Sequence, residues 1–254
     1  MKRRIRAFAV SAVLAAVLAL SYAGAASADS FFRQWRVDTL VGEGIDLYHH
    51  GDYVGSIEKF DAALELEPLT NTARYDRALD LYALGKYQDA VSELRMCLKV
   101  QPDFVPALFN LGVTYLALGD IADAKTIFRG ILTDHPNSVR AHFDLGLSNY
   151  IEGQTADAIQ DFTVASLLHP QYTQAHYNLA LAEYRTGNLV ASSNEAAAAL
   201  KLNTTYAKAY FLSGAIHLRQ GDSSGAKNLF ATAARYTTDP VLKQLCAQII
   251  AQIS

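Results

Sequence analysis

ALFNLGVTYLALGDIADAKTIFRGILTDHP, residues 107–136, decides the fold. Its first half is apolar at Leu108, Leu111, Gly112 and Tyr115, the i, i+3, i+4, i+7 spacing of one helical face. Its second half repeats that face through Ala124, Phe128 and Ile131. Between them stands Gly119, the residue type that adopts the left-handed conformation closing a helix and so permits a tight turn. Pro136 ends the second helix and sets the first turn of whatever follows. The stretch reads as one helical hairpin.

Outward from it, the same features recur every 34 residues. Gly51, Gly85, Gly119, Gly153, Gly187 and Gly221 form one ladder, and Pro68, Pro102, Pro136 and Pro170 a second. Small residues hold Gly44, Ala78, Gly112, Gly146, Ala180 and Gly214, and again Ser56, Ala90, Ala124, Ala158, Ser192 and Ala226. They let the two helices of a hairpin approach closely. A bulky ladder follows at Phe60, Leu94, Phe128, Phe162 and Phe230, broken at Ala196, and is expected to fill the space between neighbouring hairpins. Self-similarity at this period marks a helical repeat array.

The Leu-Gly, Tyr, Gly, Ala, Phe and Pro positions at fixed phase resemble the tetratricopeptide repeat family, whose pattern is matched most fully at Val105 to Ser138. The resemblance implies an all-α, right-handed alpha-alpha superhelix, a solenoid of six repeats at 37–70, 71–104, 105–138, 139–172, 173–206 and 207–240. Residues 241–254 read as a C-terminal capping helix and 29–36, with Phe31, Phe32 and Trp35, as an N-terminal cap segment.

Residues 1–28 read as an export signal. Lys2, Arg3, Arg4 and Arg6 precede an apolar stretch from Ala7 to Leu20, and Ala26-Ser27-Ala28 supplies the small-x-small cleavage pattern. An uncleaved anchor is the alternative. Both place the repeats outside the cytoplasm, in the periplasm or secreted from a bacterial cell. From Asp29 on, 18 basic and 25 acidic residues leave a net charge of about −7, which argues against nucleic acid and anionic membrane as partners. After cleavage no segment is left for membrane insertion.

The repeats and caps account for the whole chain after the signal, which leaves no segment for a catalytic domain. No nucleophile–base pair, phosphate loop or ligand-spaced Cys/His cluster stands out, so neither an enzyme nor a cofactor is expected. His135 and His169 precede prolines, and His142 and His176 follow seven residues later. Repeat ancestry explains that spacing without a metal, since equivalent residues on successive units are about 10 Å apart. Cys97 and Cys246 lie four to five repeat layers apart, beyond the ~7 Å reach of a disulfide.

The resemblance places a partner segment in a groove lined by the first helices. The positions flanking each Leu-Gly pair read Tyr75-Asp76, Phe109-Asn110, Phe143-Asp144, Tyr177-Asn178 and Phe211-Leu212, followed by Tyr48, Tyr82, Tyr150 and Tyr184 one and a half turns on. The candidate protein-binding residues are therefore Tyr48, Tyr75, Tyr82, Phe109, Asn110, Phe143, Asp144, Tyr150, Tyr177, Asn178, Tyr184 and Phe211. Rings give contact area at low entropy cost, and Asn bonds an extended backbone with donor and acceptor. Family members that clamp a C-terminal carboxylate use Lys and Arg at positions held here by Val41, Tyr75 and Phe109, so apolar or basic partner side chains suit this groove better. Phe109→Ala with Phe143→Ala is expected to weaken capture while melting stays near wild type.

The expected function is a non-catalytic adaptor that holds another protein. The alternative is a self-assembling scaffold, a homo-oligomer joined through Phe31, Phe32 and Trp35 and through Leu245, Ile249, Ile250 and Ile253. Two departures from the family pattern carry further expectations. Glu43 and Arg77 occupy usual Leu positions and are expected to form an ion pair. Ala196 and Thr204 replace a ring and a proline, so the softest joint is expected between units five and six.

Overall fold

The computed structural model describes residues 25–253, with side chains from Asp29. Residues 1–24 of the expected export signal lie outside that range, and the first described helix begins at Ala25, ahead of the expected cleavage point at Ala28. Thirteen α-helices and no strand occur among the described residues. They are α1 (Ala25–His49), α2 (Tyr53–Leu66), α3 (Asn71–Ala83), α4 (Tyr87–Val100), α5 (Val105–Leu118), α6 (Ile121–Asp134), α7 (Val139–Glu152), α8 (Thr155–Leu168), α9 (Thr173–Thr186), α10 (Leu189–Leu202), α11 (Ala207–Arg219), α12 (Ser223–Tyr236) and α13 (Pro240–Gln252). None of the described helices is long and apolar enough to cross a membrane.

The chain divides into two compact units, one ending at Leu118 and the other beginning at Gly119. In the first, α1/α2 and α3/α4 form hairpins and α5 packs on α4, so that α1, α3 and α5 are neighbours. In the second, α7/α8, α9/α10 and α11/α12 are hairpins, α6 packs on α7, α13 packs on α12, and α7, α9 and α11 are neighbours.

Every glycine of the 34-residue ladder has positive φ, between 74° and 86°. At Gly51 the turn is closed by its own N–H to the Tyr48 carbonyl (2.9 Å) and by the Asp52 N–H to the Leu47 carbonyl (3.0 Å), which satisfies carbonyls that the end of α1 leaves open. Asp52 then caps α2 by accepting the Gly55 N–H. The four prolines of the ladder do not open the next helix, as the sequence suggests. They sit second in a four-residue turn between helices, as in Glu67-Pro68-Leu69-Thr70, where the Thr70 N–H donates to the Glu67 carbonyl at 3.1 Å. At the proline-free linker the Tyr206 N–H makes the same bond to Asn203. There Asn203 Oδ1 accepts from both the N–H and the hydroxyl of Thr205 at 3.0 Å, so a side-chain turn replaces the ring constraint.

Inside each hairpin the small and bulky ladders are matched in size. A Cβ at Gly44 would stand 2.6 Å from the Phe60 ring, one at Gly146 2.8 Å from Phe162, and one at Gly214 2.9 Å from Phe230. Where the bulky position is Leu94 or Ala196, its counterpart is Ala78 or Ala180. The rings thus fill their own hairpins and also reach the next, as Phe60 does with Ala73. At Ala196 the missing bulk is covered by Leu212 and Ile216 of α11. Ser56 and Ser192 donate across their hairpins to the Gly44 and Ala180 carbonyls at 2.8 and 2.7 Å.

The expected Glu43–Arg77 pair does not form. Lys59 takes Glu43 at 2.7 Å, while Arg77 reaches Asp61 at 2.6 Å and Glu93 at 3.0 Å. Arg77 lies on α3 between acids of α2 and α4, which offer it two carboxylates closer than any on α1.

A second set of ties holds three of the linkers to the hairpin that follows. Arg74 bonds the Pro68 carbonyl (2.8 Å) and Glu93 (3.1 Å). His142 sets its ring between the Pro136 carbonyl (3.0 Å) and Asp161 (3.4 Å), and His176 between the Pro170 carbonyl (3.1 Å) and Glu195 (2.7 Å). The histidine ladder is thus a set of straps. Cys97 and Cys246 are free thiols, both buried.

Candidate partner-binding face

The first helices of the first unit, α1, α3 and α5, present two adjoining pockets. One, of about 210 Å³, is lined by Ile45, Tyr48, His49, Phe60, Asp76 and Leu79. The other, of about 40 Å³, is lined by Ala78, Leu79, Tyr82, Leu94, Asn110, Val113 and Thr114. Leu79 belongs to both, so the pockets adjoin at this residue. Three of the expected residues, Tyr48, Tyr82 and Asn110, come together here. Asn110 donates its amide to the Tyr75 hydroxyl at 2.7 Å, which orients both side chains.

Asp76 is the one carboxylate in the larger pocket. Burial first, and then the charge of Asp80 one turn along α3, push its carboxyl up to about 6. Asp80 is fully buried, and neither of its oxygens meets a donor among the described residues. Its carboxyl too is pushed up to about 6, by burial first, against the pull of the neighbouring Ser56 hydroxyl.

The remaining expected residues are more enclosed. Tyr75, Phe143 and Tyr177 each pack on the ring just ahead of the first helix of the next hairpin, Phe104 at 5.1 Å, Tyr172 at 4.9 Å and Tyr206 at 5.2 Å. Burial raises the Tyr177 hydroxyl to about 12. Phe211 packs edge-on against Phe230 at 5.2 Å. Asp144 is buried beside Arg140 at 3.5 Å, and burial still pushes its carboxyl up to about 6. Asn178 donates to the Gln174 carbonyl at 2.8 Å. Phe109 is only 7% exposed. Phe109→Ala with Phe143→Ala would therefore cost stability on the order of 3 kcal/mol at Phe109 alone and would not leave melting unchanged.

Tyr150 and Tyr184 carry lids that sequence reasoning missed. Arg185 lies 5.2 Å over the Tyr150 ring and donates to the Tyr150 carbonyl at 3.3 Å, and Arg219 does the same at Tyr184, at 4.8 and 2.8 Å. Each guanidinium adds a second donor to a helix C-terminal carbonyl that already accepts the turn glycine's N–H at 3.1 Å, and stacks on a ring. The signal was present, since the two arginines are 34 residues apart.

Packed hairpins repeated at a 34-residue period define a helical-repeat protein. The chain belongs to the tetratricopeptide repeat family. Two family models, each described as "Tetratricopeptide repeat", match residues 81–145 and residues 41–96 with 152–203. Among solved structures it is similar to PilW, "widely conserved type IV pilus biogenesis factor" (TM-score 0.73, 20% identity, 82% of this chain and 97% of that one). It is also similar to pilF of Pseudomonas aeruginosa (0.70, 17%, 84% and 97%) and to YrrB, "a TPR protein with an unusual peptide-binding site" (0.57, 17%, 74% and 97%). These likenesses are of fold. No curated protein sequence matches the chain.

Proposed function

We propose that this protein is an exported, non-catalytic adaptor of the bacterial envelope that holds an extended segment of a partner protein across α1, α3 and α5. The observation that carries this reading is the pair of adjoining pockets around Leu79, apolar in their walls and marked by Asp76 and Asn110. Two neighbouring side-chain pockets suit a peptide better than a small molecule, whose sites run to about 300–1,000 Å³. The family's use as interaction modules supports the reading, as does the peptide site in the name of YrrB. Export rests on the signal read over residues 1–28, and the pilus-factor relatives are consistent with an envelope role.

Peptides selected from a random displayed library test the reading. Those that bind are expected to lose at least tenfold in affinity with Leu79→Asp, and to keep it with Met96→Asp, which alters an exposed site on α4. Equal affinity for both variants would count against this face.

A second reading, self-assembly, keeps one of its two surfaces. Phe31, Phe32 and Trp35 are exposed on the first turns of α1, at 36%, 46% and 46%. At the other end Ile249, Ile250 and Ile253 turn inward onto the Phe230 cluster, because α13 covers α12 with that face, and of the four only Leu245 is exposed.

A further inference from the structure

We propose that the larger pocket of the first unit receives a lysine or arginine side chain of the partner, with Asp76 as the counter-ion. This rests on the reading of α1, α3 and α5 as a partner-binding face and names the chemistry of its occupant.

The walls and the charge point the same way. Ile45, Phe60, Leu79 and the ring of Tyr48 offer apolar surface, and Asp76 offers one carboxylate. A long basic side chain matches that division, with an aliphatic stem for the walls and a cationic head for the acid. At about 210 Å³ the pocket is sized for a side chain rather than a cofactor.

The carboxylate lacks a partner within the described residues. What acts on Asp76 is burial and the like charge of Asp80, and both disfavour its ionised form. The nearby cations are engaged elsewhere: Lys59 with Glu43, Arg74 with Glu93 and the Pro68 carbonyl, Arg77 with Asp61 and Glu93. Behind Asp76, the Ser56 hydroxyl donates to the Gly44 carbonyl, and both oxygens of the fully buried Asp80 are left without a donor. Asp76 therefore stands without a counter-ion in a largely apolar pocket, with the like charge of Asp80 one helical turn away, and an incoming cation offsets both effects on it. A hydrated metal ion is a poorer match, because the walls supply a single carboxylate where hard cations take six or more oxygen ligands.

The titratable groups around the site are His49 and Tyr48 on α1, Asp52 ahead of α2, and Asp76 and Asp80 on α3. A basic side chain binds the ionised acid. Capture should therefore weaken as pH falls through about 6, by up to about tenfold per unit below it.

The test uses the full chain after the signal and a peptide selected on this face, with each Lys or Arg replaced in turn by norleucine. One replacement is expected to lower affinity at least tenfold. Asp76→Asn should lower affinity for the parent peptide equally, and leave the norleucine peptide unchanged at pH 7.5 and at pH 5. The norleucine change leaves the protein untouched, so a folding defect in the variant cannot imitate the result. Peptides that dock here but tolerate every norleucine, or bind Asp76→Asn as well as wild type, overturn the basic-residue pocket and leave the adaptor reading standing. Failure to obtain any peptide on α1, α3 and α5 overturns both.

Discussion

Gly146→Ala should destabilise the second unit although alanine is the better helix former. In the interior of α7 the exchange favours the helix by about 1 kcal/mol. Against it, the new Cβ would stand 2.8 Å from Cδ1 and 2.9 Å from Cε1 of Phe162, and 3.2 Å from the Asp161 Cβ. Phe162 is fully buried, so its ring has no free volume to retreat into. Overpacking of this kind costs about 1–3 kcal/mol, which leaves a net loss of roughly 0–2 kcal/mol. The hairpin α3/α4 shows the remedy, since Ala78 there is paired with Leu94 and both are buried. Gly146→Ala with Phe162→Leu copies that pair. It should recover stability relative to the sum of the single variants by about 1–2 kcal/mol. Urea unfolding followed by circular dichroism, on both single variants and the double, measures the coupling. A Gly146→Ala protein more stable than wild type, or strictly additive variants, would refute size matching as what holds the hairpins together.

Three further outcomes follow from the same geometry. Asp80→Asn should raise stability at pH 7.5 by on the order of 2 kcal/mol. Its folded carboxyl titrates near 6 against about 4 unfolded, so the wild-type acid contributes stability below pH 4 that is lost as pH rises through 6; unfolding at pH 5 and 7.5 should show a flatter dependence in the variant. Arg219→Ala should speed amide exchange in α11 and α12 more than in α7 and α8, with a cost of about 1 kcal/mol, because it removes the tie to Tyr184 across the joint expected to be softest. Thr204→Pro should stabilise by about 0.4–1 kcal/mol in thermal melts, since Asn203 is already in extended backbone and four sister linkers carry proline there.

The architecture was legible because the features that make it are local and repeated. A glycine at the end of α7 announces a left-handed residue wherever it sits, and the structure puts φ at 86° there. Size matching was also written in the sequence, in Gly44 with Phe60 and Ala78 with Leu94, but only the fold shows which ladder faces which. The binding face was harder to read. Tyr75, Phe143 and Tyr177 share a helical face with Tyr48 and Tyr82, yet each meets a ring 29 residues on, at Phe104, Tyr172 and Tyr206. Periodicity fixes the side of a helix, and what fills that side depends on the neighbour. The same limit defeated the Glu43–Arg77 pairing, where charge complementarity named two partners and packing chose Asp61 and Glu93. Asp76 was visible beside Tyr75, but its lack of a counter-ion could be seen only once Arg74 and Arg77 had been placed.

A photo-crosslinking amino acid at Leu79, introduced into the protein in its native envelope, asks most directly whether the shared wall of the two pockets touches a partner. The account predicts one discrete adduct, mapped by mass spectrometry to a single stretch of another protein, that is absent when the same probe stands at Met96. Equal labelling from both positions, or adducts only from Met96, would contradict it.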